Sequence, residues 1–71
     1  MSTSAEYRMQ MYEKYVCLRD SKGAKDADVS NATGIERSTF SDWKTGRSAP
    51  KVEKLCKIAE FFGVSLAELV P

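Results

Sequence analysis

The chain has 71 residues and a formal net charge of +1, which suits one small domain with a marginal core. It has no histidine, no apolar run long enough to span a membrane and no secretion signal, so we expect a cytoplasmic protein. We find no nucleophile–base pair, metal-ligand cluster or phosphate-binding glycine loop. We therefore expect no enzyme activity and no cofactor, metal or small-molecule ligand.

The first predicted helix covers residues 4–21, after a start at residues 1–4 that could be flexible. Thr3 and Glu6 have the spacing of a capping box, and Gly23 ends the helix. Its apolar face follows the spacing i, i+4, i+7 and comprises Met11, Tyr15 and Leu18.

The two cysteines are too few for a disulfide scaffold. Cys17 and Cys56 both fall inside helical patterns beside apolar neighbours, so we expect small, buried or half-buried thiols. A structural disulfide and a redox switch are the alternatives.

The second predicted helix is short and covers residues 26–33. Asp26 and Asp28 in its first turn complement the positive end of the helix dipole. Val29 and Ala32 are three residues apart and are expected to point inward.

Gly34 supplies the turn to the third predicted helix, residues 37–45, because a positive φ is cheap only for glycine. Ile35 is expected to fill the junction, and Phe40 and Trp43 form the buried stripe of this helix. Its outer faces then carry the remaining side chains, Arg37, Ser38, Thr39, Ser41, Asp42 and Lys44.

Gly46 ends the third helix, and Pro50 opens the fourth at a position where its missing N–H costs nothing. The apolar face of the fourth helix comprises Val52, Leu55, Ile58, Ala59 and Phe62. After Gly63, a last short helix begins with Ser65 and Glu68 at capping-box spacing. It is expected to bury Val64, Leu66 or Leu69.

No segment of the sequence alternates apolar and polar residues with period two, so we predict an all-α domain.

Residues 24–50 place two short helices around a glycine turn. In such a motif the first helix braces across the DNA backbone while the second enters the major groove, held from behind by apolar anchors. Ala32 and Gly34 are small enough to lie where the two helices touch. The candidates for base contacts are Arg37, Ser38, Ser41 and Asp42. The candidates for DNA-backbone contacts are Lys25, Thr39, Lys44, Arg47, Ser48 and Lys51.

The side-chain chemistry suits these roles. Arg37 can form two bonds with O6 and N7 of guanine, and Thr39 suits a phosphate or a thymine methyl group. Asp42 could accept from cytosine N4, exclude other bases, or pair with Lys44 or Arg47.

The charge distribution is more informative than the net charge. Residues 36–57 contain six basic and three acidic residues, a balance of +3, whereas residues 58–71 contain two acids and no base. This asymmetry fits phosphate contact on one side of the domain, although an ordinary solvated surface is the alternative.

The joint pattern resembles the lambda-repressor and Cro-like helix-turn-helix family over residues 11–70. The matching residues are Val29-Ser30, Gly34-Ile35, Arg37 to Ser41, Trp43, Gly46-Arg47, Pro50, Leu55, Ile58-Ala59, Phe62 to Ser65 and Leu69. The resemblance implies a compact five-helix bundle that binds double-stranded DNA. It further implies a bacterial or phage transcription regulator that acts as a homodimer, most simply a repressor that occupies its operator.

The chain departs from this family at the start of the second helix. The family often has Thr-Gln there, with the Gln on the DNA backbone, whereas this chain has Lys25 and Asp26. Lys25 can reach a phosphate, and Asp26 could instead pair with Arg37 and aim it.

A protein–protein module of the antitoxin or adaptor type is the alternative function. The near-zero net charge and three acids, Asp26, Glu36 and Asp42, favour it. Partly exposed apolar residues could form a dimer surface or have no role, and these are Tyr7, Met9, Tyr12 and Phe61. The chain is interpreted as a single domain over residues 1–71, either complete and Cro-like or the DNA-binding part of a longer protein.

Overall fold

The computed structural model describes residues 4–70, with side chains from Glu6 onward. Its α-helices are α1 (Ser4–Lys22), α2 (Asp26–Thr33), α3 (Arg37–Lys44) and α4 (Val52–Phe62), and a short 3₁₀ helix follows at Leu66–Glu68. α2 packs against α3 and α4, and α1 packs across the same two helices. Residues 4–70 contain no strand, in agreement with the all-α prediction, and none of their helices is long and apolar enough to cross a membrane. The capping box predicted at Thr3 lies outside the described residues.

The prediction of five helices is wrong, because the segment after Gly63 forms a single 3₁₀ turn rather than an α-helix. Its backbone bonds run from Glu68 N–H to the Ser65 carbonyl (3.0 Å) and from Leu69 N–H to the Leu66 carbonyl (2.9 Å). These span three residues, the pattern of a 3₁₀ helix. The Ser65 side chain makes no capping bond, so the capping box predicted there is also wrong. Leu69 is fully buried and holds this turn against the body.

The core is built around one aromatic ring. Tyr15 of α1 is fully buried and stacks on Phe40 and Trp43 of α3, with ring centroids 5.4 and 5.1 Å apart. Leu18, predicted on the same face of α1, is half-buried against this core. The buried hydrophobic residues are Met11, Tyr15, Val29, Ile35, Phe40, Trp43, Leu55, Ile58, Ala59 and Leu69.

The turn between α2 and α3 matches its prediction, except for one side chain. Gly34 has φ +78°, and Ile35 behind it is buried. Ala32 is exposed, however, so its inward assignment is wrong. The inner stripe of α2 runs from Val29 to the half-buried Thr33, four residues on, whose hydroxyl donates to the Val29 carbonyl at 2.7 Å. A spacing of i, i+4 therefore describes the buried face better than i, i+3.

α4 begins two residues later than Pro50. Lys51 is the N-cap residue with extended backbone angles, and Pro50 lies before it, buried, so its assignment to the first helical position is wrong. Val52, the first residue of α4, is 62% exposed, so its assignment to the apolar face is wrong. The buried positions of α4 are Leu55, Ile58 and Ala59, with Phe62 half-buried.

Both cysteines are exposed and free, so the prediction of buried thiols is wrong. The reason is helical phase. Cys17 follows the buried Tyr15 by two residues and therefore points away from the core. Cys56 directly follows the buried Leu55 and also turns outward.

Candidate nucleic-acid interface

Helix α3 has two chemically distinct sides. Phe40 and Trp43, on its rear, are 2% and 0% exposed. With 3.6 residues per turn, Ser38 and Ser41 project from the opposite side, and both are exposed. Arg37, also exposed, lies beside them on that front surface. Because the two rings are buried at the rear, the Arg37 guanidinium and the hydroxyls of Ser38 and Ser41 lie on the solvent-exposed side, as predicted.

The remaining side chains of α3 flank this front surface. Lys44 is exposed, whereas Thr39 and Asp42 are half-buried. The Asp42 carboxylate lies 3.8 Å from the guanidinium of Arg47, whose side chain is 77% exposed. Pairing with Arg47, one of the alternatives for Asp42, is therefore present as a long, solvated ion pair, which stabilises little by itself.

The N-terminal end of α3 is open. Glu36 occupies the N-cap position with extended backbone angles, and its side chain makes no capping bond. The first turn contains no acidic residue. At this end of the helix the positive end of the helix dipole and the cationic Arg37 lie beside the acidic N-cap residue Glu36, so the local charge is mixed.

The loop after α3 is organised by one carbonyl group. The Asp42 carbonyl accepts bonds from the Thr45 hydroxyl (3.0 Å), the Arg47 N–H (2.9 Å) and the Ser48 N–H (3.4 Å). These bonds fold the loop back on the helix and place the exposed Arg47 and Ser48 beside its C-terminal end. Lys51, also exposed, follows at the start of α4.

Helix α1 fixes this loop from the other side. Arg8 Nε donates to the Gly46 carbonyl at 3.0 Å, and the Trp43 indole N–H donates to the Arg8 carbonyl at 3.1 Å. Gly46 has φ +80°, and a Cβ atom there would lie 3.3 Å from the sulfur of Met9. The positive φ therefore favours glycine at this position, and a larger residue would also have to displace the Met9 side chain by a few tenths of an ångström.

The start of α2 differs from the predicted pairing. Asp26 does not pair with Arg37. Its Oδ1 instead accepts from the Tyr15 hydroxyl at 2.6 Å and from Arg19 Nη1 at 3.0 Å, both of which belong to α1. Lys25 is the N-cap residue of α2 and is exposed. Its backbone N–H donates to the Asp28 carboxylate at 2.9 Å. This is only half of a capping box, because the lysine side chain has no acceptor for the N–H of Asp28.

The surroundings of Tyr15 alter its acidity. Burial raises the pKa of the Tyr15 phenol well above its usual range, and the bond to the Asp26 carboxylate raises it further. Burial alone would lower the pKa of Arg19, but its bonds to Asp26 and Asp20 outweigh that effect and raise it. Tyr15 and Arg19 therefore keep their protons at physiological pH, so both donate to Asp26.

A model of the helix-turn-helix family matches residues 18–69, which include α2, α3 and α4. The chain belongs to the helix-turn-helix family.

Three similar proteins extend this comparison. The chain is 36% identical over 53 residues to the cryptic phage CTXphi transcriptional repressor RstR of Vibrio cholerae, covering 75% of this chain and 48% of RstR. It is 31% identical over 62 residues to the transcriptional activator BcrR of Enterococcus faecalis, covering 87% of this chain and 30% of BcrR. The crystal structure of the DNA-binding domain of BldD superposes with a TM-score of 0.77 at 27% identity, covering all of both chains. This chain thus spans half or less of the length of the two curated relatives.

Three residues of α1 that hold the helix-turn-helix in place were not identified from the sequence. Arg8 secures the loop after α3 from 38 residues away, and Tyr15 and Arg19 hold the first residue of α2. No local motif signals the Arg8 contact, because it joins a side chain to a distant backbone carbonyl. The acidic residue at position 26, where the family often has Gln, was the one available signal for the Tyr15 contact.

Exposed apolar side chains lie at the edge of the helix-turn-helix. Tyr7 and Met9 are 47% and 39% exposed, whereas Tyr12 and Phe61 are half-buried in the aromatic core or against Phe62. Tyr7 and the exposed Val52 line one open groove of about 590 Å³. All four side chains predicted to be partly exposed are thus exposed or half-buried, and of these Tyr7 lines the groove.

Proposed function

We propose that this chain is a single domain that binds double-stranded DNA sequence-specifically and acts in a transcription regulator. The observation that supports this most directly is the division of α3, with two fully buried rings behind and Arg37, Ser38 and Ser41 exposed in front. The printed functions of the similar proteins agree: one is a transcriptional repressor, one an activator and one a DNA-binding domain.

The roles of individual residues follow from their positions. The front of α3 would read bases in the major groove through Arg37, Ser38, Ser41 and Asp42. Cations and hydroxyls around this front would contact phosphates and fix the register without reading sequence. These backbone contacts are Lys25, Thr39, Lys44, Arg47, Ser48 and Lys51.

A homodimer would give the affinity that one small domain lacks. Two copies on half-sites about 34–36 Å apart would double the contacts, as in other helix-turn-helix proteins. The groove that exposes Tyr7 and Val52 lies next to Arg47 and Lys51, so a contact there would join two copies close to the DNA. Repression would follow from occupancy, because a dimer on a promoter-proximal operator excludes polymerase.

The electrostatic support for a protein partner is weaker in the structure than in the sequence. Of the three acids that favoured it, Asp26 is paired with Arg19, and Asp42 lies beside Arg47. Only Glu36 has no ion pair among the residues described here.

Selection of bound sites from a random double-stranded DNA pool tests this function. We expect enrichment of a short motif, arranged as two half-sites about one helical turn apart if the protein is dimeric. Sedimentation of the complex then gives the number of chains per site. A pool with no enriched motif, together with no salt-sensitive binding to random fragments at low salt, would exclude the proposed function.

A further inference from the structure

Tyr15 contacts both helices of the motif at once. Its ring is 0% exposed and stacks nearly parallel to Phe40 and Trp43, at 27° and 29°, so it rests on the two anchors of α3. Its hydroxyl donates to Asp26, the first residue of α2, at 2.6 Å. Tyr15 of α1 therefore links the first residue of α2 to the two anchors of α3, in addition to the direct packing of α2 on α3.

Arg19 completes this arrangement one helical turn further along α1. Its Nη1 donates to the same Asp26 oxygen at 3.0 Å, and its guanidinium carbon lies 5.8 Å from the centre of the Tyr15 ring. A second carboxylate, Asp20, holds Arg19 at 3.1 Å. The Arg19 side chain is only 21% exposed, so its orientation is restricted by packing as well as by charge.

We propose that Tyr15, Asp26 and Arg19 form a positioning cluster that sets the angle between α2 and α3 and so determines how strictly α3 discriminates between bases. The DNA part of this inference rests on the proposed function. Asp26, at the start of α2, takes its hydrogen-bond partners from α1, where the Tyr15 hydroxyl and Arg19 donate to it. Base discrimination depends on sub-ångström placement of donors, whereas general phosphate attraction does not.

The test removes one hydroxyl group. Tyr15→Phe keeps the stacked ring and loses only the bond to Asp26. We expect the ratio of affinity for the selected site to affinity for random DNA to fall about tenfold. Affinity for random DNA and its salt dependence should stay within about twofold, because phosphate contacts are retained.

Tyr12→Phe is the matched control. Tyr12 lies on the same helix, its ring lies 5.6 Å from Trp43, and its hydroxyl makes no hydrogen bond among the described residues. This variant should keep the wild-type ratio. An unchanged ratio in Tyr15→Phe, or an equal loss in Tyr12→Phe, would overturn the positioning role.

A measurement without DNA separates the cluster from the proposed function. In a double-mutant cycle of Tyr15→Phe and Asp26→Ala, we expect the unfolding equilibrium constant to show a coupling of about five- to tenfold. Additive effects would overturn the link between α1 and α2. A wild-type protein with no preference for any DNA would instead overturn the proposed function, and the cycle would still decide whether the link exists.

Discussion

Alkaline pH should destabilise this protein through Tyr15. In the unfolded chain a tyrosine titrates near pH 10, whereas burial and the bond to Asp26 raise the pKa of Tyr15 well above that in the folded state. Unfolding therefore releases a proton above pH 10. The stabilisation is complete below pH 10 and is lost as the pH rises, by about 1.4 kcal/mol per pH unit. Between pH 10 and 11.5 the loss is about 2 kcal/mol, a large part of the ~3–5 kcal/mol expected of a domain this small.

Urea unfolding followed by circular dichroism between pH 8 and 11.5 measures this loss. Tyr15→Phe is the control, because it keeps the ring, removes the titrating hydroxyl and leaves every other ionisable group in place. The difference in unfolding free energy between wild type and Tyr15→Phe should therefore shrink above pH 10. If the two curves run parallel up to pH 11.5, Tyr15 titrates alike in both states, and the reasoning from burial and the Asp26 bond is refuted.

Two further predictions concern the proposed DNA interface. Arg37→Ala should weaken binding to the selected site by ~1–3 kcal/mol and relax one base position, measured by titration against a panel of single-base variants. An equal loss on every sequence would make Arg37 a phosphate contact only. Lys51→Ala should weaken all sites similarly and reduce the slope of log affinity against log salt by about one unit. Lys57→Ala, at an exposed position within α4 and beside Glu60, is its control. An identical slope in wild type and Lys51→Ala would remove Lys51 from the interface.

Local chemistry made much of the fold predictable. The bounds of α2 agree to the residue, because acids at its start and Gly34 at its end are strong local signals. The orientation of α3 was predictable as well, because Phe40 and Trp43 are three apart on an otherwise polar helix. Such signals depend only on a few neighbouring residues, so they can be recognised without knowledge of the tertiary contacts.

The errors share a different cause. Cys17 has apolar neighbours in sequence but projects away from the core. Val52 has helical spacing to the buried Leu55 but is exposed in the first turn of α4, and only the packing of whole helices decides either position. Pro50 suits a first helical position, but its fixed φ and missing N–H are equally compatible with a position outside the helix, and it lies immediately before the N-cap residue Lys51. The contact between Arg8 and Gly46 joins residues 38 apart through a backbone carbonyl, which no side-chain pattern reveals.

Net charge was the weakest guide to function, and the structure explains why. A total of +1 argues against a DNA-binding protein only if the acids are free to repel phosphates. Asp26, the first residue of α2, is paired with Arg19, whose side chain is only 21% exposed and which is not among the proposed DNA contacts. Asp26 therefore pairs with none of the exposed cations around α3, and its nearest cation is Arg19, at 3.0 Å, which it shares with Asp20. For a small domain, the pairing of its acids decides which charge a duplex encounters.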